Sequence, residues 1–236
     1  MSDDAHHYQL AHRKQESFDV VTLSFIPMEG KVFEYSAGQY IYVDLIENPK
    51  KFTSRPYSIS SAPHQDCISV SVKKIGVFST TLHELSVGSK VLLRGPVGNF
   101  VPSLQMKKMV FIAGGIGIAP FVSILNSFRH KKVDPDVVLF YSNKEQKDIA
   151  FQSFLSEMAS SGKGLRLVNM LTQQAEKCMD VHEYRRFDAQ MLAQYCPIVE
   201  GREFYICGSV AFVTETSKTL EEVGVPYGNI HAELFY

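Results

Sequence analysis

Residues 109–125 read MVFIAGGIGIAPFVSIL, an almost wholly apolar stretch that decides which class of fold the chain can adopt. The stretch is shorter than the ~20 residues that a membrane-spanning helix needs, and glycines and a proline interrupt it. Glycine allows a sharp backbone turn, and proline suits the first turn of a helix. We therefore predict a buried strand, a glycine turn and the start of a helix, with no membrane span.

The sequence that follows repeats this alternation of strand and helix. DVVLFYSN at 136–143 and EFYICGS at 203–209 are apolar, strand-like segments, and helical patterns separate them. Such alternation is typical of a parallel sheet covered by helices on both faces. Residues 105–236 are predicted to form this α/β domain.

The first hundred residues have a different pattern of apolar and polar residues. Short segments rich in Val, Ile, Tyr and Phe partly alternate with polar residues, and turn signals separate them. Many short strands in succession favour an antiparallel barrel or sandwich. Residues 1–104 are predicted to form this separate β domain.

Composition narrows the classes of function. Lys plus Arg number 24 and Asp plus Glu 25, so no basic excess supports nucleic-acid binding. The four cysteines include no C-x-x-C spacing, which argues against zinc and iron–sulfur sites and for free thiols in a reducing compartment. The polar N-terminus shows no signal-peptide pattern, so we expect a cytoplasmic protein. His6 and His7 are expected in a mobile tail rather than in a metal site.

The glycine turn GGIGIAP, residues 114–120, is a candidate anion site. Without side chains, its glycines let backbone N–H groups approach a pyrophosphate at the start of a helix. The turn matches neither G-x-G-x-x-G nor a P-loop. A tight connection that binds no ligand therefore remains open at this point.

Cys207 and Gly208 end a later strand of the same half. Ligands of open parallel sheets lie at the carboxyl ends of strands, so these residues are expected beside whatever the glycine turn holds. The alternative for Cys207 is a small buried apolar residue.

RPYS, residues 55–58, supplies groups suited to a planar ligand with a phosphate. Arg55 offers a fork of donors, Tyr57 a ring and Ser58 a hydroxyl. About twenty residues later, GVFSTTL places Gly76 before a helix start, which is a second anion-binding element. The economical interpretation is two nucleotides, one in each domain.

The ordered set RPYS, GVFS, GGIGIAP, CG and ELF resembles the ferredoxin–NADP reductase superfamily, over nearly the whole chain from about residue 10. The resemblance implies an N-terminal antiparallel Greek-key β-barrel that binds FAD and a C-terminal parallel α/β domain that binds NAD(P). It also implies an oxidoreductase that takes a hydride from NAD(P)H onto FAD.

In the barrel, the resemblance assigns Arg55 to a flavin phosphate, Tyr57 to packing on the isoalloxazine and Ser58 to a hydrogen bond near flavin N5. The other flavin-binding positions that it implies are Pro56, Val72, Lys73, Lys74, Gly76, Val77, Phe78, Ser79 and Thr80.

In the second domain, it assigns Cys207 to placing the nicotinamide, Glu233 to a catalytic role with Ser58 and Cys207, and Phe235 to shielding the other flavin face. The nucleotide-binding positions are Gly115, Ile116, Gly117, Pro120, Ser142, Asn143, Cys207 and Gly208.

The sequence departs from the family pattern in several places. Tyr236 follows the expected terminal aromatic, and we favour Phe235 over Tyr236 as the shielding ring. Ile116 stands where many members have Thr, and Ala37 replaces a usual proline. A plant-type cysteine cluster is missing, so the resemblance implies that electrons pass to an external acceptor.

Three functions are compatible with these patterns. One is a reductase component that feeds an oxygenase, ferredoxin or similar carrier. Another is a stand-alone flavin or ferric reductase with a small diffusible acceptor, and the third is a nucleotide-binding regulator without activity. Gln173 and Gln174 stand where an arginine would indicate the 2′-phosphate of NADPH, so NADH is favoured.

Overall fold

The computed structural model describes residues 5–46, 54–103, 108–162 and 164–235. The chain divides into two compact units. The first comprises Met1–Val101 and Ala119–Lys131, and the second Pro102–Ile118 and Lys132–Tyr236. The domain boundary expected between residues 104 and 105 falls outside the described residues and stays a prediction.

The first unit is built on a six-stranded antiparallel sheet with the strand order β4-β3-β6-β1-β2-β5. Its strands are β1 (Ala5–Ser17), β2 (Val20–Pro27), β3 (Tyr40–Leu45), β4 (Arg55–Ser58), β5 (Ile68–Lys73) and β6 (Lys90–Val97). An isolated bridge between Ile59 and Val70 joins the two edge strands, so the sheet curls into a barrel. The predicted antiparallel barrel is confirmed.

Apolar residues at alternate strand positions fill the barrel. Leu23 and Phe25 in β2 and Ile41 and Val43 in β3 are fully buried, because side chains two apart in a strand face the same side. Two helices complete the unit, α1 (Val77–Glu84) and α2 (Ala119–Lys131).

The N-terminal histidines differ from expectation. His6 and His7 lie in β1, where they pair with Leu93 and Leu92 of β6. The prediction of a mobile tail at these residues is wrong, because strand pairing and the contact of the His6 ring with Phe33, at 5.4 Å between centroids, hold this segment.

The second unit is a five-stranded parallel sheet with the order β11-β10-β7-β8-β9, which confirms the predicted parallel α/β fold. Its strands are β7 (Lys108–Gly114), β8 (Asp136–Asn143), β9 (Leu165–Leu171), β10 (Glu203–Ser209) and β11 (Ile230–Phe235). Its helices are α3 (Gln152–Ser160), α4 (Ala189–Tyr195) and α5 (Val210–Glu222).

The apolar stretch at residues 109–125 is divided as predicted. Residues 109–114 lie in β7, Gly115–Ile118 form a 3-10 turn, and α2 begins at Ala119. Within the described ranges, the helices are all too short or too polar to cross a bilayer.

Candidate cofactor sites

The RPYS segment forms β4, an edge strand whose residues become more buried along its length. Arg55 and Pro56 are exposed, Tyr57 is half-buried and Ser58 is buried. Pairing with β3 sets Ser58 opposite Tyr40. Because successive side chains of a strand face opposite sides, Arg55 and Tyr57 share one face and Ser58 faces the other.

The ring of Tyr57 lies beside the start of α1. Its centroid is 6.4 Å from that of Phe78, and the two planes are 20° apart. Burial raises the pKa of the Tyr57 hydroxyl to about 12, although the Arg55 guanidinium opposes the shift. The hydroxyl is therefore neutral and able to donate a hydrogen bond at physiological pH. The structure thus brings two of the predicted flavin-binding segments together.

The N-terminus of α1 is suited to an anion. Gly76 is the N-cap and offers no capping side chain, and the first turn carries no acidic residue. The Oγ of Ser79 accepts the N–H groups of Ile75 and Gly76 at 3.0 Å and donates to the Gly76 carbonyl at 2.9 Å. The Ser79 hydroxyl thus fixes the turn, while helix geometry directs the first N–H groups, such as that of Val77, away from the helix.

The three predicted residues at the end of β5 have different environments. The Val72 side chain is fully buried in the barrel core, and the Val72 carbonyl lies 2.8 Å from Nε2 of His83. The Nζ of Lys73 is 3.2 Å from a carboxylate oxygen of Asp19, and the Lys74 N–H donates to the Asp19 carbonyl at 2.8 Å. Asp19 and His83 therefore organise this end of the barrel. Neither residue was predicted from the sequence, because neither belongs to a recognisable motif.

In the second unit, two glycines leave room for one aromatic ring. A Cβ at Gly114 or at Gly208 would lie 2.8 or 2.7 Å from Cδ1 of Phe212. Phe212, in the first turn of α5, was not singled out from the sequence. These glycines are needed for packing, whatever ligand the turn binds.

Gly115 and Gly117 in the glycine turn have contrasting surroundings. A Cβ at Gly117 would lie 2.1 Å from the Cys207 carbonyl oxygen, so this position requires glycine for its close approach to β10. Gly115 has a φ of +54° and open space beside it. Ile116, between these glycines, is partly buried. Pro120 follows them and is buried in the first turn of α2. Gly115 is therefore the turn residue most open to a ligand.

The carboxyl end of β8 carries an acceptor that lacks a partner. Ser142 is half-buried and Asn143 is buried. The Asn143 carbonyl accepts the Thr172 N–H at 3.0 Å, but the Asn143 Oδ1 is buried without a hydrogen-bond partner among the described residues. Buried polar atoms are nearly always paired, and this edge of a parallel sheet is where nucleotides bind. A ribose hydroxyl is a fitting donor for this oxygen.

Cys207 and Glu233 lie opposite each other in the pairing of β10 with β11. The thiol is fully buried, and its Sγ is 3.9 Å from Oε2 of Glu233. Burial first, and the neighbouring carboxylate second, raise the pKa of the Cys207 thiol well above its ordinary value. The group is therefore a neutral thiol and a weak donor.

The end of β11 carries the predicted shielding ring. Phe235 is half-buried and pairs with Ser209, directly after Gly208 in β10. Tyr236, the alternative ring, lies outside the described residues.

Most cations beyond the ends of β8 and β9 are paired with carboxylates. The Nζ of Lys147 is 2.7 Å from Glu145, and Arg186 is 3.2 Å from Glu215. Arg185 contacts both Glu183 and Asp188. Among the described residues, His, Cys, Asp and Glu side chains form no group of three or more that could hold a metal ion.

Two family models together match most of the chain. The model of the oxidoreductase FAD-binding domain matches residues 7–101, and that of the oxidoreductase NAD-binding domain matches residues 111–218. FAD and a nicotinamide nucleotide are therefore the cofactors of these domains.

Relatives and solved structures agree with this assignment. A flavohemoprotein of Bacillus subtilis (strain 168) is 30% identical over 234 residues, which cover 97% of this chain and 58% of that protein. A glycine betaine monooxygenase reductase subunit of Chromohalobacter salexigens is 30% identical over 227 residues, covering 94% and 61%. The chain thus spans about 60% of the length of these curated relatives.

The flavohem-like FAD/NAD-binding domain of nitric oxide dioxygenase from Vibrio cholerae O1 biovar El Tor superposes with a TM-score of 0.89 at 26% identity, over 98% of this chain and 99% of that one. A ferredoxin NADP+ reductase from Neisseria gonorrhoeae shares the fold, with a TM-score of 0.84 at 22% identity and 98% coverage of both chains. The two family models, the two folded units and these neighbours lead to one conclusion: the chain belongs to the ferredoxin–NADP reductase-like superfamily of FAD- and NAD(P)-dependent oxidoreductases.

Proposed function

We propose that this chain is a reductase unit that oxidises NADH and delivers the electrons, through FAD, to a separate acceptor such as an oxygenase component or a ferredoxin-like carrier. The observation that carries the proposal is the stacking of Tyr57 on Phe78. This contact sets the edge strand that bears Arg55 beside the glycine-capped start of α1. A cationic fork, a ring face and a row of N–H groups are thereby combined in one unit, as a flavin nucleotide requires.

Each group in the barrel has a distinct task in this proposal. Arg55 and the first N–H groups of α1 neutralise the phosphates of the cofactor. Tyr57 supplies a ring face for stacking. Ser58, buried at the end of β4, supplies a hydroxyl whose position the strand fixes. Bound FAD supplies the redox chemistry, accepting a hydride and releasing electrons to the acceptor.

The second unit binds and orients the nicotinamide nucleotide. Open space at Gly115 admits the pyrophosphate to the backbone, and the unpaired Oδ1 of Asn143 accepts from a ribose hydroxyl. Cys207, fully buried, holds its proton and packs as a neutral thiol beneath the nicotinamide site, with Oε2 of Glu233 3.9 Å from its Sγ. Phe235 is proposed to shield the flavin face.

The preference for NADH rests on charge. A 2′-phosphate needs cationic donors near the ribose. Lys147, Arg185 and Arg186 are each engaged with carboxylates, which offset their charge. Gln174 accepts the Gln146 N–H at 3.1 Å and adds no charge. These pairings favour NADH, which lacks the 2′-phosphate, over NADPH.

The external acceptor is proposed from two observations. The four cysteines lack iron–sulfur spacing, so these 236 residues do not themselves supply an electron carrier of that kind. One relative is named as the reductase subunit of a monooxygenase. A stand-alone reductase with a diffusible acceptor is the competing possibility that the experiment has to separate.

The test uses the purified full chain reconstituted with FAD. We expect a yellow protein whose flavin absorbance is bleached by NADH, and more slowly by equimolar NADPH, without oxygen. Reduction of cytochrome c or ferredoxin is then compared with reduction of free flavin and ferric citrate. A chain that stays colourless with excess FAD contradicts the proposal. Turnover with free flavin or ferric citrate alone supports the competing reductase.

A further inference from the structure

The barrel closes immediately after the RPYS strand, and few backbone hydrogen bonds close it. β4 and β5 are the two edge strands of the sheet, and the described backbone pairings between their ends are the Ile59–Val70 bridge and a bond from the Ser60 N–H to the Ser69 carbonyl at 2.8 Å. The segment that follows Ser58 therefore depends on other contacts for its position.

Side-chain hydroxyls supply those contacts. The Oγ of Ser71 donates to the Oγ of Ser60 at 2.9 Å and lies 2.9 Å from the Oγ1 of Thr22 in β2. The Oγ of Ser61 accepts the Ser69 N–H at 2.9 Å. Ser60 and Ser61 are 5% and 3% exposed, so these bonds are shielded from water.

Ser61 is where three separate parts of the first unit meet. Besides its bond to β5, its Oγ lies 2.8 Å from the hydroxyl of Tyr35, which belongs to the connection between β2 and β3. Its carbonyl accepts a hydrogen bond from the Oγ of Ser123, a fully buried side chain of α2. Ser61 is thus held from β5, from the β2–β3 connection and from α2.

We propose that Ser61 is a positioning residue for the flavin-binding strand, fixing the Ser58 hydroxyl through its bonds to Tyr35, Ser69 and Ser123. The inference rests on the proposed function, since it concerns the strand assigned to FAD. Ser61 is only three residues beyond Ser58, so its displacement is transmitted to Ser58 along a short stretch of backbone. Groups that act at a reacting centre have to be held to within about 0.5 Å, and hydrogen-bonded supporting residues provide this restraint.

The same strand pair offers a matched control. The Oγ of Ser24 in β2 lies 2.8 Å from the Oγ of Ser69 in β5, and this partner lies outside residues 58–61. Ser24→Ala therefore removes a hydroxyl pair from the same region of the barrel without removing a bond to the flavin-binding segment. A purely structural role for the hydroxyls predicts similar effects of Ser24→Ala and Ser61→Ala.

The experiment compares Ser61→Ala, Tyr35→Phe, Ser123→Ala and Ser24→Ala with the wild-type full chain. FAD affinity is measured on each apoprotein by fluorescence titration, and anaerobic flavin reduction by saturating NADH is measured by stopped flow. The flavin midpoint potential and the Tm are recorded as well. We expect Ser61→Ala to slow flavin reduction about 10- to 100-fold, the size that a small misplacement of reacting groups produces.

Tyr35→Phe and Ser123→Ala should slow reduction by smaller factors. The effects of Tyr35→Phe and Ser61→Ala should combine less than additively, because they remove the same bond. Ser24→Ala should lower Tm but leave the rate and the potential unchanged.

The outcomes separate this inference from the proposed function. A wild-type chain that fails to bind FAD overturns both. A wild-type chain that works, together with a Ser61→Ala variant of unchanged rate and potential, overturns the positioning role alone. If Ser61→Ala does not fold, Tyr35→Phe and Ser123→Ala decide: slowed reduction at saturating FAD supports the role, and wild-type rates in both overturn it.

Discussion

The Sγ of Cys207 lies 3.9 Å from the Oε2 of Glu233, across the pairing of β10 with the edge strand β11. Burial first, and the opposing carboxylate second, raise the pKa of the Cys207 thiol, so it keeps its proton. A thiol in this state is a poor nucleophile. Because the thiol is fully buried, its contribution is to the packing that shapes the carboxyl end of β10.

Replacement of Cys207 should separate flavin binding from flavin reduction. Cys207→Ala leaves the barrel untouched, so the variant should hold FAD as the wild type does. Because the packing beneath the proposed nicotinamide site loses volume, reduction by NADH should slow on the order of 10-fold. Stopped-flow absorbance measures the rate, and Cys207→Ser, which keeps a donor, should lie between the two. Wild-type rates in the alanine variant would refute the assigned role.

Arg55 should control how much flavin the protein retains. Its guanidinium is exposed at the start of β4 and is assigned to a phosphate. Arg55→Ala should weaken FAD binding about 10-fold or more, the range for loss of a charge-assisted hydrogen bond. The measurement is flavin absorbance per protein after gel filtration. Arg55→Lys keeps the charge but loses the fork, so it should retain more flavin, and full occupancy in Arg55→Ala would count against the phosphate role.

The two glycines of the 3-10 turn should respond differently to a methyl group. At Gly117 the new Cβ would lie 2.1 Å from the Cys207 carbonyl oxygen, so backbone has to move, and unfolding free energy should fall by about 3 kcal/mol. At Gly115 space is open, and the cost of the positive φ is about 1 kcal/mol. Urea denaturation measures both changes. Equal losses of stability would contradict the close approach at Gly117.

Two stacked histidines should make the folded state less stable at acidic pH. The rings of His64 and His130 are 3.7 Å apart and nearly parallel, at 6°. Partial desolvation first, then the His130 ring and the Arg129 guanidinium, lower the pKa of His64 from its ordinary 6.5. The unfolded chain therefore takes up a proton at higher pH than the folded chain, and stability should fall as the pH drops through 6.5.

Substitution of His64 tests this relation. His64→Gln removes the titrating group, so the decrease in Tm between about pH 7.5 and pH 5.5 should be smaller than in the wild type. The effect should be modest, because His64 is exposed and solvent screens its charge. His12→Gln, in β1 and outside the stack, is the control. An unchanged pH dependence in His64→Gln would exclude the stack as its source.

The sequence predicts the two folds well, because period-2 and continuous apolar strands carry strong local signals. Residues 109–118 divide into strand and turn as the glycines indicate. The sequence explains only part of the need for those glycines. Gly114 and Gly208 accommodate the ring of Phe212, which is distant from Gly114 in sequence and belongs to no motif.

Long-range partners account for the other differences. His6 and His7 resemble a polar tail until β6, more than 80 residues later, pairs with them. The Ser60 and Ser61 hydroxyls look like ordinary loop residues, because only the closed barrel brings Ser71, Ser69 and Tyr35 to them. Side-chain hydrogen bonds between distant segments leave no periodic trace in a sequence.

Helix α2 is encoded after the glycine turn yet belongs to the first unit, where Phe121 packs against Phe100 and Ile124 approaches Gly38. A fragment that stops at Val101 would thus lose an integral part of its own interior and expose those apolar surfaces to water. Chimeras made by exchanging halves with other reductases should fail at such a cut, unless the donor supplies a helix with a matching inner face. The two units can therefore be transferred to another protein only together, because each is made of two separate segments of the chain.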